Sequence, residues 1–158
     1  MCDQFPGIRL AMFRKTLTVL RRTTLMTFRK VLDVCDYHPM WNGSTMTYTF
    51  ANGSQVMFLE ADISKDPDGL KLKGLELTAA AIDEADEVAR QVLTVLSGRI
   101  GRENVRKGFE IPAFILMSCN PNQGWLRDEF YEPWRNGTLK APYFFEQALA
   151  VDNPFLTT

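Results

Sequence analysis

The sequence predicts an α/β domain in which helices flank a mostly parallel sheet in three layers. Two short apolar runs, Leu77–Ile82 and Ala113–Met117, have strand length and end abruptly in polar residues. Segments of helical period separate the strand candidates, and strands alternating with helices fold into parallel sheets through crossover connections. With 158 residues, 46% hydrophobic and 23% charged, the chain is expected to form one domain, residues 1–158, around one core.

The elements follow in order. Ile8–Phe13 reads as a strand. Leu17–Cys35 reads as one helix, because Leu17, Leu20, Phe28, Val31 and Cys35 recur at helical spacing. Thr45–Phe50 and Gln55–Leu59 flank Ala51-Asn-Gly-Ser54, and Asn-Gly between β-prone runs signals a hairpin. Residues 62–73, with Asp66-Pro-Asp-Gly69, read as a loop. After the buried strand Leu77–Ile82, a helix is expected over Ala85–Ser97, with Val88, Val92, Val95 and Leu96 on one face. Gly98–Gly108 reads as a basic connection. Strand Ala113–Met117 runs into Ser118-Cys-Asn-Pro-Asn122, Trp125–Tyr131 reads as a short helix, and Tyr143–Ala148 as a last strand.

The net charge is only −1, but the charges are segregated. Residues 9–30 carry Arg9, Arg14, Lys15, Arg21, Arg22, Arg29 and Lys30 without an acid, whereas residues 60–87 are strongly acidic. This polarity suits a polyanion at one region and a metal at the other. Lys15, Arg22 and Arg29 are seven apart, so they would drift little around a helix axis and form a basic stripe, either a solvated face or a contact for a nucleic-acid backbone. Cys2, Cys35 and Cys119 are widely spaced and, with His38 as the lone histidine, make no zinc set. A reducing, cytosolic setting is expected. No apolar run is long enough to span a membrane, so no membrane partner is expected.

The chemistry is concentrated where the strands end. Asp83 and Glu84 close an apolar run, as in phosphate-transfer sites where one carboxylate holds Mg²⁺ and a second polarises the attacking water. Alone, the pair could equally be acids favoured in the first turn of a helix. Ser118 and Asn120 alone would be turn residues. Together, both sets follow buried strands whose carboxyl ends line one crevice, where a Ser-x-Asn segment can sense a γ-phosphate or order water. Cys119 is simplest as an inert thiol, and Lys73 as the end of a surface loop. No Gly-x-x-x-x-Gly-Lys-Ser/Thr phosphate loop occurs among the 158 residues.

These residues resemble the large terminase subunit of tailed bacteriophages, the ATPase that drives DNA into the capsid. The resemblance runs along almost the whole chain. It includes Met12-Phe-Arg-Lys-Thr16, Ala51-Asn-Gly-Ser54, Leu72-Lys-Gly74 before Ile82-Asp-Glu-Ala85, Ser118-Cys-Asn-Pro121 with Trp125 behind it, and Asp152-Asn-Pro-Phe-Leu156. It implies a P-loop NTPase-like fold of the additional-strand class, with ATP as substrate and Mg²⁺ as cofactor. Asp83 would be the Walker B aspartate on Mg²⁺, Glu84 the catalytic glutamate, and Ser118, Cys119 and Asn120 the coupling motif. Where some members carry an arginine finger this chain has Lys71 and Lys73, which makes Lys73 the alternative charge donor.

The implied partners are double-stranded DNA, the portal protein and the small terminase subunit. A homo-oligomeric ring acting in the host cytoplasm and at the procapsid portal is implied as well. The implied strand order is 5-1-4-3-2, with Ile8–Phe13, Leu77–Ile82, Ala113–Met117 and Tyr143–Ala148 as strands 2 to 5. Strand 1 and the phosphate loop are missing from these residues, as is a nuclease domain. Met1 would then be an internal start, or the gene split or interrupted, and the 158 residues alone are expected to be inactive. Two alternatives stand beside this reading. Asp83-Glu-Ala-Asp86 spells the signature of DEAD-box helicases, although Ser118-Cys-Asn120 stands where that family has Ser-Ala-Thr. A non-catalytic remnant or assembly module is the other.

Overall fold

The computed structural model describes residues 1–152 except Asp3, Lys65, Phe109, Glu110 and Pro121. The chain divides into two compact units, Met1–Asn120 and Pro121–Thr158. The first contains a six-stranded sheet of β1 (Arg9–Arg14), β2 (Met40–Asn42), β3 (Thr47–Thr49), β4 (Gln55–Glu60), β5 (Ala79–Ile82) and β6 (Ile115–Met117). The strand order is β2-β3-β4-β1-β5-β6. Strands β4, β1, β5 and β6 run parallel, and the antiparallel strands β3 and β2 extend the sheet beyond β4. The sheet is mostly parallel, as the strand–helix alternation requires. Neighbours β6-β5-β1 reproduce the implied order 4-3-2.

Parallel pairing brings the carboxyl ends of β1, β5 and β6 to one edge. The register sets Phe13 opposite Ile82, and Ile82 opposite Met117. Arg14, Asp83 and Ser118 therefore follow adjacent strands at the same level. Backbone bonds continue the ladder past the strand ends: Asp83 N–H donates to the Phe13 carbonyl at 2.9 Å, and Ser118 N–H to the Ile82 carbonyl at 3.0 Å.

Two helices, α1 (Leu17–Arg22) and α2 (Thr24–Val34), cover one side. Leu20, Leu25 and Leu32 pack with Met46, Tyr48, Val56 and Phe58 into a buried cluster. Its aromatic rings meet edge-on: Phe28 and Phe58 centroids lie 5.2 Å apart at 67°, and Tyr48 and Phe58 6.2 Å apart at 77°. Further along the chain are α3 (Leu70–Lys73), α4 (Arg90–Ser97) and α5 (Arg102–Lys107). Helix α4 buries Val92, Leu93 and Leu96, an i, i+1, i+4 stripe.

Several expectations are corrected. Leu17–Cys35 is two helices, broken at Thr23, whose φ of −120° and ψ of −83° leave the helical region. The Thr23 hydroxyl donates to the Val19 carbonyl at 2.8 Å, a local bond that competes with the helical ladder. Lys15 precedes α1, and Arg22 and Arg29 lie on opposite sides of the break, so the seven-residue spacing no longer makes one stripe. Arg29 is instead held by the aromatic cluster: its Nε donates to Tyr48 Oη at 3.0 Å, and its guanidinium lies 5.3 Å from the Trp41 ring centroid. Lys15 and Arg22 are exposed.

The helix expected from Ala85 starts at Arg90, after a 3₁₀ turn at Ala85–Glu87. The basic connection 98–108 contains α5, and the 62–73 loop ends in α3. The short strand β2 has no alternation to betray it in three residues. The predicted last strand, Tyr143–Ala148, is not a strand. Its aromatics meet other rings edge-on or tilted instead of pairing in a sheet, with Tyr143 5.2 Å from Phe130 at 75° and Phe145 5.1 Å from Trp134 at 47°. Both ring partners lie within the second unit, where Arg127–Tyr131 forms a π-turn that runs into α6 (Glu132–Arg135). Most of the 152–156 motif lies outside the described residues.

Candidate active site

The loop after β5 is built by backbone strain and cross-strand bonds. Glu84 takes a left-handed conformation, φ 52° and ψ 55°, which a non-glycine residue adopts at a cost of roughly 1–3 kcal/mol. The Ala85 N–H donates to the Ser118 carbonyl at 2.8 Å, tying this turn to the end of β6. Asp83 and Glu84 therefore stand in a strained strand-to-turn junction and not in the first turn of a helix. Acids helping a helix N-terminus do not account for them.

The end of β6 supplies their partners. Ser118 Oγ donates to Asp83 Oδ1 at 3.0 Å, and Asn120 Nδ2 donates to Glu84 Oε2 at 2.8 Å. The Asn120 backbone N–H reaches Asp86 Oδ1 at 3.4 Å. Asp83, Glu84, Ser118 and Asn120 are thus brought into one hydrogen-bonded cluster. Cys119 lies between the last two, and its thiol pKa is raised by desolvation and by the carboxylates of Asp86 and Glu84. A thiol held protonated is a poor nucleophile and metal ligand, in keeping with an inert role.

Two members of the cluster were not assigned from sequence. Thr24, 7% exposed at the start of α2, donates from Oγ1 to Asp83 Oδ2 at 2.5 Å. Arg14 ends β1 with its Nη1 3.6 Å from Asp83 Oδ2 and its Nη2 3.7 Å from Glu84 Oε1. A basic residue at the carboxyl end of a central strand was the available signal for Arg14. For Thr24 the signal was hidden, because a continuous helix gives its position no reason to face the sheet edge.

Lys73 makes no bond to this cluster among those described. It is exposed at the end of α3, where it and Lys71 help hold the Asp66 carboxyl below its usual pKa, the Lys71 backbone N–H being the largest cause. Lys15 and Arg22 make no bond to the carboxylate cluster among those described. His38 pairs with Asp36 at 3.0 Å.

The donor chemistry fits Mg²⁺ as part of a set. Asp83 and Glu84 are about one-third exposed, and Mg²⁺ is usually held by one or two carboxylates together with phosphate oxygens and water. Among the described residues no cluster of three or more His, Cys, Asp or Glu forms a complete protein cage. No described helix is long and apolar enough to cross a membrane.

No protein-family model matches the chain, and no curated protein is significantly similar to it. Solved structures are. The large terminase from a thermophilic bacteriophage superposes with a TM-score of 0.68 at 17% identity, over 87% of this chain and 33% of that one. The same protein in complex with ADP gives 0.67 over the same shares. The large terminase ATPase domain of Thermus phage P74-26 gives 0.52 at 16% identity, over 85% of this chain and 56% of that domain. The chain spans about a third of the length of the first of these terminases. At these identities the likeness establishes architecture: the chain shares the α/β fold of these phage large terminases, a mostly parallel sheet flanked by helices.

Proposed function

We propose that these residues form the hydrolytic half of an ATPase site in a viral DNA-packaging motor. The observation that carries the proposal is the direct bonding of Asp83 and Glu84 to Ser118 and Asn120 across adjacent parallel strands. Glu84 would be the base that orients and polarises the attacking water, held by Asn120 until the γ-phosphate competes for that amide. Asp83, fixed by Ser118 and Thr24, would be a ligand of Mg²⁺. The bound ion would neutralise charge developing on the phosphates. The large terminase of the thermophilic bacteriophage, solved with ADP and with ATP-γ-S, supports a nucleotide as the ligand of this fold. Double-stranded DNA as the cargo, with portal protein and small subunit as partners in a ring, belongs to the same reading. The exposed Lys15 and Arg22 remain the candidates for touching its backbone.

Asn120 is the residue through which hydrolysis would be coupled to movement, because its amide contacts the glutamate and the segment continues out of the sheet. Asn120→Ala, in a polypeptide joined to a phosphate-binding segment, should reduce DNA translocation at least as strongly as it reduces ATP binding. Side-by-side packaging and nucleotide-binding assays test this. Unchanged hydrolysis and unchanged translocation would return Ser118–Asn120 to a turn.

A further inference from the structure

Arg14 has no role in the reaction as described above, yet its surroundings are unusual. Its side chain is only 11% exposed, facing two adjacent carboxylates that are themselves about a third exposed. Its Nη1 also donates to the Thr23 hydroxyl at 2.5 Å, and its buried Nε has no hydrogen-bond partner among the described residues. A desolvated guanidinium with one orphaned donor is costly unless compensating charge is close. Both ion-pair distances, 3.6 and 3.7 Å, are longer than a forked guanidinium–carboxylate contact. The guanidinium bridges both acids without fully engaging either.

We propose that Arg14 is the internal counter-ion of the Asp83–Glu84 pair: it positions both carboxylates and competes with a divalent cation for Asp83. This rests on the reading of Asp83 as a metal ligand given above. Asp83 Oδ2 is shared between Arg14 and Thr24, so a cation approaching that carboxylate meets a positive charge already beside it. Thr23, at the break between α1 and α2, gives the guanidinium a neutral partner to retain when its hold on Asp83 weakens. Arg14 would thereby link cation occupancy at the sheet edge to the α1–α2 junction.

The test uses the full 158-residue chain and Mn²⁺, with binding followed by electron paramagnetic resonance. Removing a like charge this close to the ion should tighten Asp83-dependent Mn²⁺ binding by at least about threefold in Arg14→Gln, whereas Arg14→Lys should stay near wild type. A merely structural arginine would leave affinity unchanged or weakened, and that result overturns the proposal. Arg14→Met, which retains the buried stem, serves as a second variant. In the unsubstituted chain, the Arg14 Nε–Hε resonance should shift during a Mg²⁺ titration with the midpoint of metal binding, and an unmoved resonance contradicts the proposal. Asp83→Asn separates the two readings. Loss of binding in Asp83→Asn without tightening in Arg14→Gln defeats the counter-ion alone, whereas binding indifferent to Asp83→Asn defeats both.

Discussion

Glu84→Gln, in a polypeptide that joins these residues to a phosphate-binding segment, is expected to keep ATP binding and to lose hydrolysis by about 10²-fold or more. The substitution preserves size and leaves Asp83 untouched, so the proposed metal ligand survives. It replaces a carboxylate that can accept a proton from water with an amide that cannot. Asn120 Nδ2 can still donate to the glutamine carbonyl oxygen, so the 2.8 Å contact need not be lost. Steady-state hydrolysis measured beside nucleotide affinity separates the two effects. Turnover within a few-fold of the parent would remove Glu84 from the chemistry.

The largest effect on stability is expected at Phe58. Its side chain is fully buried in β4, inside the cluster made by α1, α2 and the hairpin strands, and it meets Phe28, Trp41 and Tyr48 ring to edge. Phe58→Ala removes these contacts and leaves a cavity that the stiff sheet on one side cannot close, costing about 3–5 kcal/mol. That is a large share of the roughly 5–15 kcal/mol that holds a typical domain folded. Urea unfolding of the two proteins gives the difference directly. A loss below about 1 kcal/mol would mean that the aromatic cluster repacks freely.

The sheet edge was legible in the sequence because its signals are local. Leu77–Ile82 and Ala113–Met117 are short apolar runs with polar ends, which is enough to mark parallel strands, although only the first is buried: β6 ends the described sheet and leaves Leu116 65% exposed. The Asn-Gly hairpin was equally local, since turn chemistry fixes the register of β3 and β4. Periodicity could not reveal the break at Thr23. Thr23 and Thr24 fit a helical pattern, but their hydroxyls are used by Val19, Arg14 and Asp83, and only tertiary placement decides that competition. Arg29 was read as part of a basic stripe, either solvated or facing a nucleic-acid backbone, because its aromatic partners Trp41 and Tyr48 are distant in sequence. Tyr143–Ala148 failed for the converse reason: aromatic residues favour strands and ring clusters alike, and here the rings pair with Phe130, Tyr131 and Trp134.

Calorimetry with Mg-ATP tests the central claim, that Asp83 and Glu84 act on a nucleotide whose phosphates are gripped by another segment. In sites of this class most of the grip comes from backbone N–H groups and a lysine of the phosphate loop, and an aspartate contributes one metal ligand among several. The purified 158 residues, shown to be folded by a thermal melt, should give no micromolar binding. Joined to a phosphate-binding segment they should bind, and Asp83→Asn should weaken that binding when Mg²⁺ is present. Micromolar binding by the 158 residues alone, indifferent to Asp83→Asn, would contradict the account and place the phosphate site elsewhere in the chain.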